Sequence, residues 1–434
     1  MTLHSFCWLL AAIPLSTLRS ETTPESGMIE PRSQAALRFT AAKHPSLRFG
    51  ELLRIDFRFK MQNDFRTFSP DLSTEEGFHD LNRARVGIEG RLFQSLEFEL
   101  ERELSVTQNP WKDAFVNWRG FRRVQVKAGR FKMPFGMEQL TGPTQLDFIY
   151  RAGISAYLAP GRDTGVMAHG RLLDKALSFE AGLFRHDGDN ARIPDNERAA
   201  GTTFVARLTL TPARTVNLPA FLRNLELGAA ATTGSVEEGA NSLRGRTAAQ
   251  KYFFHRLDVN GQRLRLGTEL KWKQGPLAVK GEYIQVSDQR LGQGVSGNDI
   301  PNLVSIPNLV SRGWYLSGLW TVADSRNQKR AKHANFLQSL YGSTGPGMVQ
   351  VGVRYEQLRF GSDEHTGAPS RSSRARNILG NSDRAVTFGA NWVVNRHVRI
   401  QVNAVRETVE DTVRSPIPGR SRFWTRLCRL QFDL

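Results

Sequence analysis

Apolar and polar residues alternate strictly along residues 53–62. Leu53, Ile55 and Phe57 occupy one set of positions, and Arg54 and Asp56 fall between them. This period of two predicts a β-strand with one apolar and one charged face, and it is incompatible with an amphipathic helix. Such a strand suits a soluble sandwich, with its charged face in water, or a membrane-spanning barrel, with its charged face on the lumen.

The next two runs share this design and predict a hairpin. Residues 83–92 alternate Arg and Glu with apolar side chains, and residues 96–101 alternate Leu and Phe with Glu. A turn at residues 93–95 satisfies both faces at once, because opposite charges then face each other on one side and leucines on the other. The predicted register pairs Arg91 with Glu97, Arg85 with Glu103 and Leu92 with Leu96.

Similar runs bring the prediction to about 16 strands of the length that spans an outer membrane. They cover residues 113–118, 124–128, 164–172, 176–184, 203–210, 225–232, 264–273, 277–286, 313–322, 348–357, 385–393, 398–406 and 422–432. The connections alternate short and long: 173–175 and 395–396 are short, whereas 129–162 is very long. Short turns on one side and long loops on the other are typical of an up-and-down membrane barrel. Two connections, 211–224 and 323–347, are long where this phase predicts short turns.

The alternating region favours a membrane barrel over a soluble protein. No linker divides it, and no strand is apolar on both faces, as a large soluble β protein would require. Every tryptophan after Trp8 lies at or near a predicted strand end, where an aromatic girdle would sit, although core aromatics would leave the same trace. The predicted fold is all-β, a transmembrane antiparallel up-and-down barrel over residues 51–434. A soluble adhesin-like protein is the remaining alternative.

The first 50 residues differ from the barrel region. Residues 6–15 are an apolar core of signal-peptide length, so residues 1–20 are predicted to be a signal peptide, with a buried first helix as the alternative. Residues 21–50 are polar and interrupted by prolines, which predicts a mobile linker or periplasmic extension. No run of 18 apolar residues exists, which excludes a spanning helix. Cys7 and Cys428 allow no disulfide framework or zinc box, and no cofactor or metal is expected.

An octapeptide from Gly129 to Gly136 begins the very long loop. Both glycines permit backbone angles that other residues avoid, and Pro134 removes an amide donor and so ends a strand ladder. Phe131 and Phe135 are expected to wedge the loop against the structure beneath it. The octapeptide is therefore predicted to be the scaffold of a long, shaped loop.

Four parts of the chain resemble the phosphate-selective porin O and P family. They are residues 129–141 with 159–166, residues 81–90, residues 388–392 and residues 429–432. The resemblance runs from about Leu53 to the C-terminus, with the pieces in the family's order. It implies a homotrimer of 16-stranded barrels in the outer membrane of a Gram-negative-type bacterium, each with a long third loop folded inward, passing small anions and preferring phosphate. Family members usually end on an aromatic residue, and Phe432 is expected to serve instead of Leu434.

Basic residues on the lumen face are the candidate anion pathway. The net charge of +17 suits an anion conduit, a nucleic-acid binder or an anionic membrane surface. In a barrel, Arg and Lys on the lumen replace the hydration of a passing anion, and the planar Arg fork matches phosphate. The predicted pathway comprises Arg83, Arg85, Arg207, Arg58, Lys127, Arg265, Lys271 and Lys280, with Arg54, Lys60, Arg354 and Arg399 in the same lumen-facing set. Arg83, Arg85 and Arg207 are the sharper candidates, because they resemble basic positions of the family.

Structural roles are the alternative to a role in the anion pathway. About half of these residues are expected only to solvate the wall or to neutralise glutamates such as Glu97 and Glu269, since lumen charge occurs in any porin. Arg130 and Lys132 are expected either to point at the constriction or to anchor the loop to the wall.

The predicted function is an outer-membrane porin, not an enzyme, that passes small anions such as phosphate or polyphosphate and contacts membrane lipid. The alternatives are a general diffusion porin or a barrel enzyme such as a lipase or protease, although no GxSxG or HExxH motif occurs. A nucleic-acid partner is not expected, because the positive charge is spread along the whole chain without a nucleic-acid-binding motif.

Overall fold

The computed structural model of the chain describes residues 37–40, 45–69, 79–106, 110–121, 123–191, 200–325, 347–362, 370–417 and 419–434. The predicted signal peptide, residues 1–20, lies outside these ranges. Within them, no helix combines the length and the apolar character needed to cross a membrane.

Sixteen of the strands in the described ranges form one closed antiparallel barrel. In chain order the strands are β1 (Leu37–Thr40), β2 (Ser46–Phe49), β3 (Leu53–Ser69), β4 (His79–Leu92), β5 (Leu96–Glu103), β6 (Trp111–Trp118), β7 (Val124–Lys132), β8 (Arg162–Leu172), β9 (Leu177–Phe184), β10 (Ala200–Leu210), β11 (Glu226–Gly239), β12 (Gly245–Arg246), β13 (Tyr252–Phe254), β14 (Val259–Gln274), β15 (Leu277–Arg290), β16 (Ile306–Asp324), β17 (Met348–Ser362), β18 (Asn381–Val393), β19 (Val398–Val409) and β20 (Arg422–Asp433). The barrel consists of β3–β11 and β14–β20. It closes where β20 pairs with β3, with Leu430 opposite Asn63.

Helical structure is confined to short turns. The only α-helix in the described ranges is α1 (Met137–Leu140), and a π-helical turn covers Ile154–Leu158. Four 3-10 turns cover Pro143–Gln145, Pro212–Arg214, Ala220–Leu222 and Gly297–Asp299. The polypeptide is therefore a barrel with its connections, as the alternation predicted.

The two faces of the strands are those that the sequence predicted. Phe57, Phe65 and Trp314 point outward and are 38%, 44% and 39% exposed, whereas Gln62 and Asp64 point inward and are fully buried. An apolar outer wall around a polar interior is the reverse of a soluble protein and suits a barrel in lipid. The predicted membrane barrel is confirmed.

The predicted hairpin register is also confirmed. Arg91 lies opposite Glu97, and Leu92 lies opposite Leu96. Phe93 and Gln94 in the turn have φ angles of 50° and 59°, the positive values that tight hairpin turns require. Because a slip of one residue would turn every side chain to the wrong face, the two-faced sequence specifies this pairing.

All 16 predicted strands are present, and the phase of the connections is right. The long connection 211–225 lies on the short-turn side, where its two 3-10 turns make it an elaborated turn. The second exception falls mainly on residues 326–346, which lie outside the described residues. Several strands extend further toward the long loops than predicted; β14, for example, begins at Val259 instead of residue 264.

Two short strands within residues 21–50 were not predicted. β2 pairs with the first residues of β3, with Leu47 opposite Ile55, and β1 pairs with β2. They lengthen the barrel wall beyond the end of β20, whose pairing with β3 stops at Lys60. Four-residue strands carry too little alternation to be detected in a polar segment.

Candidate functional site

The connection after β7, residues 133–161, folds into the barrel and is called here the inward loop. Phe135, Ile154 and Leu158 on this loop are at most 1% exposed, although the loop leaves the rim of the barrel. Its backbone and side chains bond to β15 and to β17–β20 on the far wall. The inward loop therefore crosses and narrows the lumen.

Apolar side chains of the inward loop dock where the wall has glycines. The Phe135 ring lies over Gly267, where an added Cβ would come within 3.0 Å of the ring. Phe148 lies over Gly389, where a Cβ would come within 2.9 Å, and Ile154 lies over Gly313, where it would come within 2.6 Å. The missing side chains leave the space into which the loop packs.

The predicted scaffold residues lie at the base of this loop. Phe131 is 3% exposed and packs edge-on against Phe115 and Phe184, with ring centroids 6.0 and 5.2 Å away. Gly129 and Gly136 have φ angles of 127° and 77°, and Gly136 precedes α1. Pro134 lies between them and is buried.

We expect Gly129→Ala to destabilise the barrel more than Gly136→Ala. Both substitutions place a side chain at a strained positive φ, which costs roughly 1–3 kcal/mol. At Gly129 the new Cβ would also lie 2.3 Å from the Ala114 carbonyl oxygen, whereas nothing lies within 3.5 Å at Gly136. Urea unfolding in detergent measures the difference, and equal midpoints for the two variants would contradict the expectation.

Arg130 and Lys132 both contact the loop or the wall. The Lys132 ammonium group donates to the carbonyl oxygens of Gln139, Leu140 and Thr141 at 2.7, 3.1 and 2.9 Å. It therefore satisfies the carbonyl end of α1. The Arg130 guanidinium group donates to the Trp111 carbonyl oxygen at 3.1 Å and to Asp189 at 3.2 Å. These contacts favour the alternative that Arg130 and Lys132 anchor the loop to the wall over the alternative that they point at the constriction.

Several basic residues assigned to the lumen hold the inward loop. Arg265 donates to the Leu158 carbonyl oxygen at 2.8 Å and is ion-paired with Asp187. The Lys280 ammonium group lies 2.7 Å from the carboxylate of Asp147 on the loop. Arg354 and Arg399 also donate to loop carbonyl oxygens, those of Tyr150 and Thr144. These side chains face the lumen, but their charges and donors are already engaged.

A cavity of about 680 Å³ lies between the inward loop and the wall and is called here the lumen chamber. Among the described residues, eleven Arg and Lys side chains line it against five Asp and Glu. The charged lining consists of Arg66, Arg83, Arg85, Lys112, Arg130, Arg151, Arg162, Arg244, Arg246, Arg354 and Arg429 with Asp80, Asp189, Glu356, Asp383 and Glu407. The charged side chains that line the chamber are therefore mostly basic.

Within the described ranges, six of these cations have close carboxylate partners, and five are poorly compensated. Arg85, for comparison, is 2.7 Å from both Glu101 and Glu103. Arg83 lies 3.7 Å from Glu103 and otherwise donates to Gln62. Arg151 donates only to carbonyl oxygens of the inward loop, at 3.0 and 2.7 Å, and no carboxylate within 4.0 Å pairs with Lys112 in the described part of the chain. Among the described residues, Arg244 has no hydrogen bond or ion pair, and Arg246 donates to the Tyr252 hydroxyl group. These five side chains offer the chamber its least engaged positive charge.

The charge of Arg151 persists at neutral pH. Burial and the neighbouring guanidinium groups of Arg162, Arg85 and Arg429 lower the pKa of this loop residue to about 10, against the opposing effect of Glu138. The lowered pKa reflects first the burial of Arg151 and then the surrounding positive charge, and it stays well above physiological pH.

The structure does not bring the eight predicted pathway residues together. Arg83 and Arg85 line the lumen chamber, whereas Arg207 lines a separate cavity of about 1290 Å³ toward the short-turn side. There Arg207 lies 2.7 Å from both Glu180 and Glu269.

The remaining predicted residues lie outside the lumen chamber. Arg58 is paired with Glu89, and Lys271 lies 3.7 Å from Glu226 near the short-turn end. Lys127 lies over the Phe115 ring, 4.4 Å from its centroid.

Sequence reasoning missed seven of the chamber cations, Arg66, Lys112, Arg151, Arg162, Arg244, Arg246 and Arg429. Lys112 has the parity of outward residues, but a register irregularity opposite Leu100 and Arg102 turns the start of β6 and brings it to the chamber. Arg151 is in a loop without periodicity, so no signal marked it. Arg429 did carry a signal, because it alternates with apolar neighbours in the final strand.

A sixteen-stranded barrel with an apolar outer wall and a polar lumen narrowed by an inward loop defines an outer-membrane porin. The sequence model of the family "Phosphate-selective porin O and P" matches residues 54–433. The chain belongs to this family, and its place is a bacterial outer membrane. A comparison with curated protein sequences finds no match.

Solved outer-membrane proteins share the fold at low sequence identity. The in-vitro folded OmpT of Vibrio cholerae in its trimer form is 10% identical, with 88% of this chain and 100% of that chain covered and a TM-score of 0.54. Salmonella typhi OmpF in complex with daunomycin is 10% identical, with 88% and 98% covered and a TM-score of 0.53. The outer membrane channel DcaP of Acinetobacter baumannii is 9% identical, with 88% and 97% covered and a TM-score of 0.52. These likenesses concern the fold alone.

Proposed function

We propose that this porin passes small anions, including phosphate or polyphosphate, as a homotrimer in the outer membrane of a Gram-negative-type bacterium. The observation that supports the proposal is the group of cations that line the lumen chamber without full carboxylate compensation, Arg83, Lys112, Arg151, Arg244 and Arg246. The family description points to phosphate, and the trimer form of Vibrio cholerae OmpT is a precedent for the assembly.

The mechanism follows from the cost of dehydration. An anion that enters a narrow lumen loses part of its water shell, and preplaced donors offset that loss only if no single site binds too tightly for release. Paired arginines such as Arg85 are held rigid by their glutamates, and the less engaged cations are available to the ion. Guanidinium groups donate two parallel hydrogen bonds, which suits the oxygens of phosphate.

Measurements on single channels in planar bilayers test the proposal. Under a KCl gradient we expect a zero-current potential of the sign that marks anion selectivity, larger at 0.1 M than at 1 M salt, because salt screens the lumen charges. Inorganic phosphate should reduce the chloride current in a saturable way. A cation-selective or nonconducting trimer would contradict the proposal.

A general diffusion porin is the second candidate. The many arginine–carboxylate pairs of the lumen favour it, since they leave few free charges to select an ion. Weak selectivity with no saturable phosphate block would support this candidate over the first. The family and the solved neighbours favour a channel over a barrel enzyme.

A further inference from the structure

The lumen chamber is larger than an inorganic anion requires. Its volume of about 680 Å³ lies within the range of roughly 300–1,000 Å³ that is typical of sites for organic small molecules. Tyr150 and Tyr157 of the inward loop line it together with apolar residues such as Leu358 and Leu427. A phosphate ion would occupy only a fraction of this space, and it would have no use for the apolar part of the lining.

The wall of the chamber across the lumen from Lys112 carries polar groups without partners. Asp383 and Thr387 on β18 are 8% and 1% exposed. Asp383 Oδ1 and Thr387 Oγ1 have no hydrogen-bond partner among the described residues. Buried polar atoms are nearly always bonded, so each unpaired one needs an explanation. Asp383, Ala385 and Thr387 alternate along one inward face, and the small Ala385 leaves the space between the two polar groups open.

The neighbouring acidic residues do not compete for the same role. Glu356 accepts a hydrogen bond from the Gly153 amide at 3.1 Å and pairs with Arg354 at 2.6 Å. Glu407 accepts from the Ala248 amide at 2.6 Å and from the Thr425 hydroxyl at 3.3 Å. Glu356 and Glu407 hold the inward loop and the loop that contains β12 and β13. Asp383 Oδ1 and the hydroxyl of Thr387 remain unpaired within the described part of the chain, and both residues line the chamber.

We propose that the lumen chamber binds anionic polyols, the class of sugar phosphates and sugar acids. The anionic group lies against Arg83, Lys112 and Arg151, and hydroxyl groups of the organic body bond to Asp383 and Thr387. A hydroxyl both donates and accepts, so it satisfies the Asp383 oxygen and also accepts the Thr387 proton, which an ammonium group does not. This proposal rests on the proposed function as an anion channel and adds the substrate class.

Two ligands of the same charged group test the proposal. Glucose 6-phosphate and methyl phosphate are titrated against the chloride current of the intact wild-type trimer in planar bilayers. We expect glucose 6-phosphate to half-block the current at a concentration about tenfold lower, the effect of one or two net hydrogen bonds. Glucosamine 6-phosphate carries an ammonium group in place of one hydroxyl, so it tests whether Asp383 binds an ammonium group instead. A stronger block by glucosamine 6-phosphate than by glucose 6-phosphate would overturn the assignment to hydroxyl groups.

Matched variants test whether the preference for glucose 6-phosphate over methyl phosphate depends on the chamber wall. Thr387→Val and Asp383→Asn should bring the ratio of the two half-blocking concentrations close to one, whereas Thr387→Ser, which keeps the hydroxyl, should retain it. The shift in gel mobility of unheated samples checks that each variant is folded. An equal block by both ligands in the wild type, or a ratio that persists in both variants, overturns this inference alone. A cation-selective channel would overturn it together with the proposed function.

Discussion

Replacing Arg83, Lys112 and Arg151 together with glutamine is expected to reduce the channel's preference for anions strongly. Carboxylates compensate these three chamber cations only weakly, as they do Arg244 and Arg246, so a passing ion feels their charge. At roughly 6 Å, one unit charge contributes about 0.7–3 kcal/mol for effective dielectric constants between about 80 and 20. The permeability ratio of chloride to potassium should therefore fall by about tenfold or more. Zero-current potentials in a KCl gradient measure this ratio.

The control for this variant removes one positive charge outside the lumen chamber. Arg371→Gln removes an exposed cation from the loop between β17 and β18 and should leave the permeability ratio within error of the wild type. Because the pKa of Arg151 is about 10, this residue should keep its charge between pH 6 and pH 8. An unchanged ratio in the triple variant would mean that the lumen chamber does not select the ion.

Arg429→Met is expected to produce the largest loss of stability. Arg429 and Asp64 are 1% and 0% exposed, and two bonds of 2.6 and 2.7 Å join the guanidinium group to the carboxylate. Removal of one partner from a buried ion pair leaves an uncompensated charge and costs about 3–5 kcal/mol. Arg429 also donates to the Ile149 carbonyl oxygen at 2.8 Å, so the inward loop loses an anchor. Urea unfolding of the refolded porin measures the loss, and increased current noise reports the loosened loop.

Two comparisons separate the effect of the unpaired buried charge from the effect of the lost loop anchor. The double variant with Asp64→Asn should recover most of the stability but keep the current noise, because it removes the unpaired charge without restoring the anchor. Arg414→Met breaks the partly exposed pair with Asp411 in the loop after β19 and should cost at most about 1 kcal/mol. If Arg429→Met and Arg414→Met lowered stability equally, the structural importance of the buried pair would be refuted.

Strand existence, strand register and the two faces of the wall were predictable. Each depends on neighbours two residues apart or across one tight turn, as in the pairing of Arg91 with Glu97. Strand ends were less predictable, since the residues that extend β14 back to Val259 lack strict alternation. The place of Lys112 was not predicted, because it precedes the predicted strand 113–118 and one irregular pair changes the parity of this strand end.

The role of three glycines in the barrel wall could not be predicted from the sequence. Gly267, Gly313 and Gly389 are ordinary inward positions in their strands, and nothing near them in sequence indicates why a side chain is missing. The reason lies more than a hundred residues away, in Phe135, Ile154 and Phe148 of the inward loop. Residues 388–392 do belong to the stretches that resemble the family, but that resemblance gives no contact.

The sequence by itself determined the class of fold, the number of strands and the side on which each loop lies, because a period of two is a local property of the chain. It also determined that the lumen is rich in basic residues. Only the tertiary structure decided which of those residues are engaged, because the partners of Arg265, Arg354 and Arg429 come from distant segments that meet across the lumen. Most predicted pathway arginines hold carboxylates or the inward loop, and the least compensated charge belongs to Arg83, Lys112, Arg151, Arg244 and Arg246.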